Sequence, residues 1–238
     1  MVSRLAVALL LVGSLHGCLT YEYEHEFWLR VDGSGTVNVT GRPALWTAFK
    51  GLGIPADPDG TAIREAAREL FERSGLRVKR VTLTRRRGQR YLFVSADFPD
   101  VTRISYTPAF PDLRVSLVRD GGRLRLEGSW QRPLHFPGIG DRDREGLMAV
   151  RFHLPSKVYT HQNAADGVER GNILSWRQEV SAALAGSRLE FGAVMDERSI
   201  LFSTVRLFAG AVVLAALLLA VALWAAIRRG RRDLEHSD

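Results

Sequence analysis

His25, His135, His153 and His161 are the imidazoles between residues 18 and 200, and with nearby carboxylates they are the groups best suited to acid–base or metal chemistry. No two of them stand three or four residues apart, the spacing that sets two imidazoles around a metal on one helix face. Glu24-His25-Glu26 places three ligand types side by side. On a strand, however, alternate side chains point to opposite faces, so the tripeptide is not a chelate, and it reads as the solvated start of a strand. His161, Asn163 and Asp166 fall in a segment where Asn and Asp favour a turn for backbone reasons. Taken as a catalytic set they define a hydrolase reading in which His161 and Asp166 carry the activity. Ser34, between Gly33 and Gly35, lacks the strand-to-helix context of a nucleophile elbow, and no phosphate loop or dinucleotide fingerprint occurs. The expectation is therefore a chain that is not an enzyme and takes no metal or cofactor.

The other chemistry-bearing group is cationic. Lys79, Arg80, Arg85, Arg86, Arg87 and Arg90 crowd one stretch and could meet an anionic headgroup, against the plainer reading of a solvated hairpin with a charged tip. The 33 Lys and Arg against 26 Asp and Glu give a net charge of +7. Leaving out Arg4 and the net single charge of the last eleven residues brings this to +5, a mild bias. Nucleic acid is not an expected partner of an exported domain, despite a pI of about 10.1.

Both ends of the chain address it to a membrane. Arg4 precedes an apolar stretch from Leu5 to Val12 that is too short to span a bilayer, which reads as an export signal over residues 1–17. Cys18 is the only cysteine, which excludes an intramolecular disulfide and a Cys-based zinc site. It follows Leu15-His16-Gly17, similar to a bacterial lipobox except at His16, and is the expected lipidation site, carrying acyl chains such as palmitate. Residues 207–227 contain no charge and are long enough to cross about 30 Å of hydrocarbon as a helix. Arg228, Arg229, Arg231 and Arg232 follow at once while Arg206 alone flanks the other side, so residues 228–238 are expected in the cytoplasm. The layout predicted is a lipoprotein signal peptide (1–17), an exported domain (18–200), a short stalk and transmembrane helix (201–227) and a basic tail. That layout is the one expected of a single-pass protein of a bacterial cytoplasmic membrane with its domain on the extracytoplasmic face.

The elements that must position these groups follow from periodicity. The domain reads as α+β, an antiparallel sheet with one main amphipathic helix. Residues 27–31 and 36–40 form a hairpin about Asp32-Gly33. Ile63, Ala66, Ala67, Leu70 and Phe71 recur at helical spacing, with Asp59 or Thr61 as cap and Gly75 as stop. Strands are predicted at 78–84, 90–96, 113–119, 124–128, 147–154, 173–180 and 189–194, with a short helix within 97–111 and a stalk from Met195 to Arg206. The loop 133–145 is the least regular part by composition. Trp28, Trp46, Phe49, Trp130, Phe136, Phe152, Trp176 and Phe191 read as core, or as the lining of an apolar cavity.

The lipobox-like Cys18, the exported α+β domain, the segment from His161 to Gly167, the Asn172-Ile173-Leu174-Ser175-Trp176 strand and the terminal helix with its Arg-rich tail together resemble the LppM-type bacterial lipoproteins. The resemblance implies an envelope protein whose domain binds lipid or glycolipid in an apolar cavity, without catalytic residues. On that expectation an acyl chain is buried between the sheet and the Ile63 to Phe71 face, and the six cations meet the headgroup. The alternative expectation is an accessory subunit that docks an envelope protein complex and binds no lipid.

Overall fold

The computed structural model describes residues 21–53, 59–140, 143–168 and 172–235, with side chains not described for 200–203 and 225–235. Residues 1–17, where a signal peptide is predicted, and Cys18 lie outside the described residues. In chain order the elements are β1 Tyr23–Leu29, β2 Gly35–Gly41, α1 Pro43–Lys50, α2 Thr61–Glu72, β3 Arg77–Arg86, β4 Gln89–Phe98 and a 3-10 turn Val101–Arg103. Then come β5 Leu113–Asp120, β6 Arg123–Trp130, β7 Leu147–His153, β8 Val158–Gln162, β9 Ile173–Glu179, α3 Val180–Leu184, β10 Leu189–Asp196 and α4 Ile200–Glu235.

Two sheets form where the sequence suggested one. Sheet A has six strands in the order β3-β4-β2-β1-β7-β9, and sheet B has four in the order β5-β6-β10-β8. Among the described residues every pairing is antiparallel except β1 with β7, where Tyr23 opposes Met148 and Phe27 opposes Phe152 in parallel. A parallel pair needs a long crossover, and here the whole of β2 through β6 supplies it. No local pattern announces such a pairing.

The helix α1 was not anticipated. Pro43 starts it, Leu45, Trp46, Ala48 and Phe49 are buried along it, and Gly51 closes it in the left-handed conformation. The helix α2 forms where expected, with Gly60 rather than Asp59 or Thr61 at its N-cap. Its buried residues are Ile63, Ala67, Leu70 and Phe71. Phe71 lies 6.0 Å from the Trp46 ring and 5.6 Å from Phe110, so this face is packed against aromatic side chains. Burying such a Phe contributes about 1.5–3 kcal/mol. The space assigned to an acyl chain beneath α2 is occupied by the protein's own core.

The same apolar layer joins the sheets. Phe27 stacks on Phe152 at 4.6 Å, and Phe152 and Trp176 of sheet A reach Phe191 of sheet B at 5.5 and 5.6 Å. His25 belongs to this layer and is fully buried, which corrects its reading as part of a solvated strand start.

The stalk is also corrected. The strand β10 continues to Asp196, and only Glu197, Arg198 and Ser199 separate it from α4. Within α4, Thr204–Trp224 has a mean hydropathy of 2.7 and none of it is buried, so it is long and apolar enough to cross a membrane. The helical backbone continues through the Arg-rich stretch to Glu235.

The point of departure of α4 fixes the polarity of the molecule. Asp196 donates its backbone N–H to the Lys157 carbonyl, Glu197 to that of Gly122, and Arg119 reaches the Val31 carbonyl. The β5–β6 and β1–β2 turns and the start of β8 therefore share the α4 end. Phe98 pairs with Gly35 at this end, while the β3–β4 turn lies at the other end of β4, about 30 Å away along its 10 residues.

Candidate functional site

The structure disperses the six predicted cations. Lys79 is an extra residue in β3, where Val78 opposes Ala96 and Arg80 opposes Ser95, and its Nζ donates to Asp97 at 2.9 Å. Arg77 donates to the same carboxylate at 2.6 Å. Burial pulls the Asp97 carboxyl upward, but the hydrogen bonds from Arg77, Thr36 and Lys79 outweigh it and hold the group well below the usual carboxylate range. Arg80 lies over Phe93 and Arg86 over Tyr91, at 5.6 and 5.5 Å, both on the face of sheet A away from the core. Arg90 is near Gly60, on the α2 side, and Arg85 pairs with it across the hairpin. Arg87 and Gly88 form the turn itself with positive φ of 49° and 80°. These six side chains occupy two faces and the length of a hairpin, and they do not converge.

The outward face of sheet A carries a ladder of charge instead. Arg151 lies 3.3 Å from Glu24 and 3.6 Å from Glu26, and His153 Nε2 is 2.8 Å from Glu26. Trp28 stacks on the His153 ring at 4.5 Å. Burial pushes the Glu24 carboxyl up to about 7, and Arg151 only partly opposes this. Of the hydrolase pair, His161 is exposed on β8, and Asp166, beyond the left-handed Asn163, accepts from Arg177 at 2.8 Å.

On the inner side, Tyr23, His25, Lys50 and Asp112 form a buried polar cluster. Lys50 donates to the Ala109 carbonyl and lies 3.3 Å from Asp112, whose other oxygen accepts from Trp130 Nε1 at 2.9 Å. Burial lowers His25 well below its ordinary value, so its imidazole is neutral and the 3.9 Å approach to Asp112 is not an ion pair. The cluster is enclosed by Phe49, Phe110 and Trp130 and serves the core.

A cleft that a ligand can enter lies on the outward face of sheet B. It has a volume of about 600 Å³ and continues into a smaller depression of about 180 Å³, the two sharing Glu127 and Gln162. Strand alternation builds it: Leu113, Val115, Leu124 and Leu126 turn inward, which sends Arg114, Ser116, Arg125 and Glu127 outward. Register then brings Glu190 beside Ser129 and Gly192 beside Glu127, and on the other side Gly192 opposes Gln162. Gly192 carries no side chain, which leaves the dip between the two depressions.

Arg103, the last residue of the 3-10 turn, and Tyr106 after it wall the cleft, with Arg114 lying over the Tyr106 ring at 5.1 Å. Tyr106 has φ of +61° and is 67% exposed, a left-handed conformation that costs a non-glycine residue about 1–2 kcal/mol. Opposite it, Glu190 pairs with Arg188 at 3.5 Å and Glu127 with Arg125 at 3.8 Å. Guanidinium groups, carboxylates, hydroxyls, an amide and an aromatic face in one open cleft can bind a ligand rich in hydroxyl or anionic oxygen groups.

No family model and no curated protein matches this chain. The site must be read from its own geometry. Strand alternation already places Arg114, Ser116, Arg125 and Glu127 on one face. What sequence reasoning missed is the pairing of β6 with β10 and β10 with β8, which brings Glu190, Gly192 and Gln162 alongside them.

Proposed function

We propose that this chain is a membrane-held, non-catalytic binding protein of the bacterial envelope, and that the cleft on sheet B takes the polar head of a lipid, specifically a glycolipid. The observation that carries this reading is that β10, which runs beneath the cleft, leads directly into α4. Gly192, between the two depressions, is four residues from Asp196, and α4 begins at Ile200. Strand and helix rises along the chain put Gly192 about 30 Å, and Glu190 in the main cleft about 40 Å, from the start of the apolar segment. A head of several sugars reaches that distance while its acyl chains remain in the bilayer; a simple phospholipid head does not.

The export signal, the arginines after residue 227 and acylation of Cys18 support an extracytoplasmic domain anchored at both ends, the arrangement that the LppM-type resemblance implies. The acyl chain stays in the membrane on this reading, because the α2 face that would have sheltered it is packed.

The test is native mass spectrometry of the full chain ejected from nanodiscs of total envelope lipid, beside nanodiscs of phosphatidylcholine. The reading expects a glycolipid adduct that is lost in Arg114→Ala and Glu190→Ala and kept in Arg86→Ala. Bare protein from envelope lipid, or an adduct indifferent to both cleft substitutions, would sink it.

A second reading, the docking subunit, draws on the outward face of sheet A, where Trp28, Glu24, Glu26, Arg151 and His153 are partly exposed. It expects a stoichiometric protein partner lost in Trp28→Ala and unaffected by the cleft variants.

A further inference from the structure

The α4 end of sheet B carries a cluster that the cleft does not use. Tyr159 is the extra residue of a β-bulge: Thr160 opposes Val194 and Val158 opposes Met195, so Tyr159 has no partner of its own in the register. Bulges re-aim side chains, and this one sets the Tyr159 ring between Arg123 at 5.1 Å and Lys157 at 5.6 Å, with its hydroxyl donating to Asp196 at 2.9 Å. The ring is 46% exposed, and Val118 at the same end is 53% exposed.

The charge at this end favours cations. Arg30, Arg119, Arg123, Lys157, Arg198 and Arg206 stand against Asp32, Asp120, Asp196 and Glu197. Two of the carboxylates are already engaged within the chain. Asp196 accepts from Tyr159 and the Arg198 backbone, and Glu197 lies 3.9 Å from Arg119. Arg123 and Lys157 are exposed and spend their close contacts on an aromatic face.

An exposed tyrosine flanked by cations is the side-chain set that settles at a membrane–water interface. The covalent chain says which surface meets it, since the helix that contains Thr204–Trp224 begins four residues after Asp196. We propose that this end of sheet B docks on the anionic headgroup layer of the bilayer, with Tyr159 at the interface and Arg123 and Lys157 contacting headgroup phosphates. The domain then stands upright, with Arg86 and Arg87 at the far end from the lipid. The proposal rests on α4 crossing the bilayer and not on the cleft binding glycolipid, so either can fail alone.

The experiment uses the full chain in a Cys18→Ala background, with one fluorophore attached through Asp120→Cys or Gln89→Cys. The protein is reconstituted into phosphatidylcholine vesicles with or without phosphatidylglycerol, each containing a lipid with a nitroxide-bearing headgroup. Quenching at position 120 should rise when phosphatidylglycerol is present, while position 89 stays unquenched. Arg123→Ala and Lys157→Ala should each lower the ratio of docked to undocked domain about fivefold. Both substitutions are on the surface, so unchanged near-ultraviolet dichroism confirms the fold. Equal quenching at 120 with and without phosphatidylglycerol would overturn the proposal, as would quenching at 89 in place of 120.

Discussion

Lys50 and Asp112 meet at 3.3 Å with both side chains wholly shielded from solvent, an ion pair set inside an aromatic core. Burial pushes the Lys50 amine down and the Asp112 carboxyl up, and each group's charge is what keeps the other ionised. Removing one partner leaves the other buried and uncompensated. Asp112→Ala, which also strips Trp130 Nε1 of its acceptor, should destabilise the chain by about 3–5 kcal/mol. Chemical denaturation of the detergent-solubilised full chain measures this. Lys50→Met combined with Asp112→Leu should recover most of the loss, and a double variant as unstable as Asp112→Ala would contradict the pairing.

Glu24 makes stability fall as pH rises. Burial is the main cause that lifts its carboxyl to about 7, while Arg151 pulls the other way. Because the folded-state value lies above the unfolded one, the protonated group favours the folded state at acidic pH. That contribution is complete below about 4.5 and is lost as pH rises through 7. Full conversion of the shift gives at most about 3 kcal/mol. Glu24→Gln should flatten the stability profile across this window; a profile identical to that of the parent chain would show that Arg151 compensates the charge completely.

Gly128 is required by Phe191. A Cβ at Gly128 would stand 2.5 Å from two atoms of the Phe191 ring and closer still to the Arg114 carbonyl. Gly128→Ala must therefore move the ring that joins the sheets, at a cost of about 1–3 kcal/mol. Gly138→Ala, with open space around its added methyl group, is the control and should be neutral. Thermal unfolding of the two variants side by side decides the matter.

Tyr106 should trade stability against binding. Tyr106→Gly relieves the left-handed strain, worth about 1 kcal/mol, but removes the ring beneath Arg114. The expected result is a melting temperature at or above the parent's together with loss of the glycolipid adduct. Retention of the adduct would remove the ring from the cleft's working parts.

The residues themselves determined the local features. Alternation in β5 and β6 gave their inward and outward faces, helical spacing located α2, and the uncharged run ending at Ile227 marked the segment able to cross a membrane. These are short-range patterns, set by two-residue and 3.6-residue periods and by an apolar stretch as long as a bilayer is thick. Tertiary structure alone decided what depends on distant pairing. It put β1 beside β7 in parallel, split the strands into two sheets, filled the space beneath α2 with Trp46 and Phe110, and drew His25 into the core. It also spread the cations from Lys79 to Arg90 over two faces of a hairpin and assembled a cleft from Arg114, Glu127, Gln162 and Glu190. Those residues meet because β5, β6, β10 and β8 share one register, and the backbone hydrogen bonds that set it join segments whose separation along the chain leaves no periodic trace.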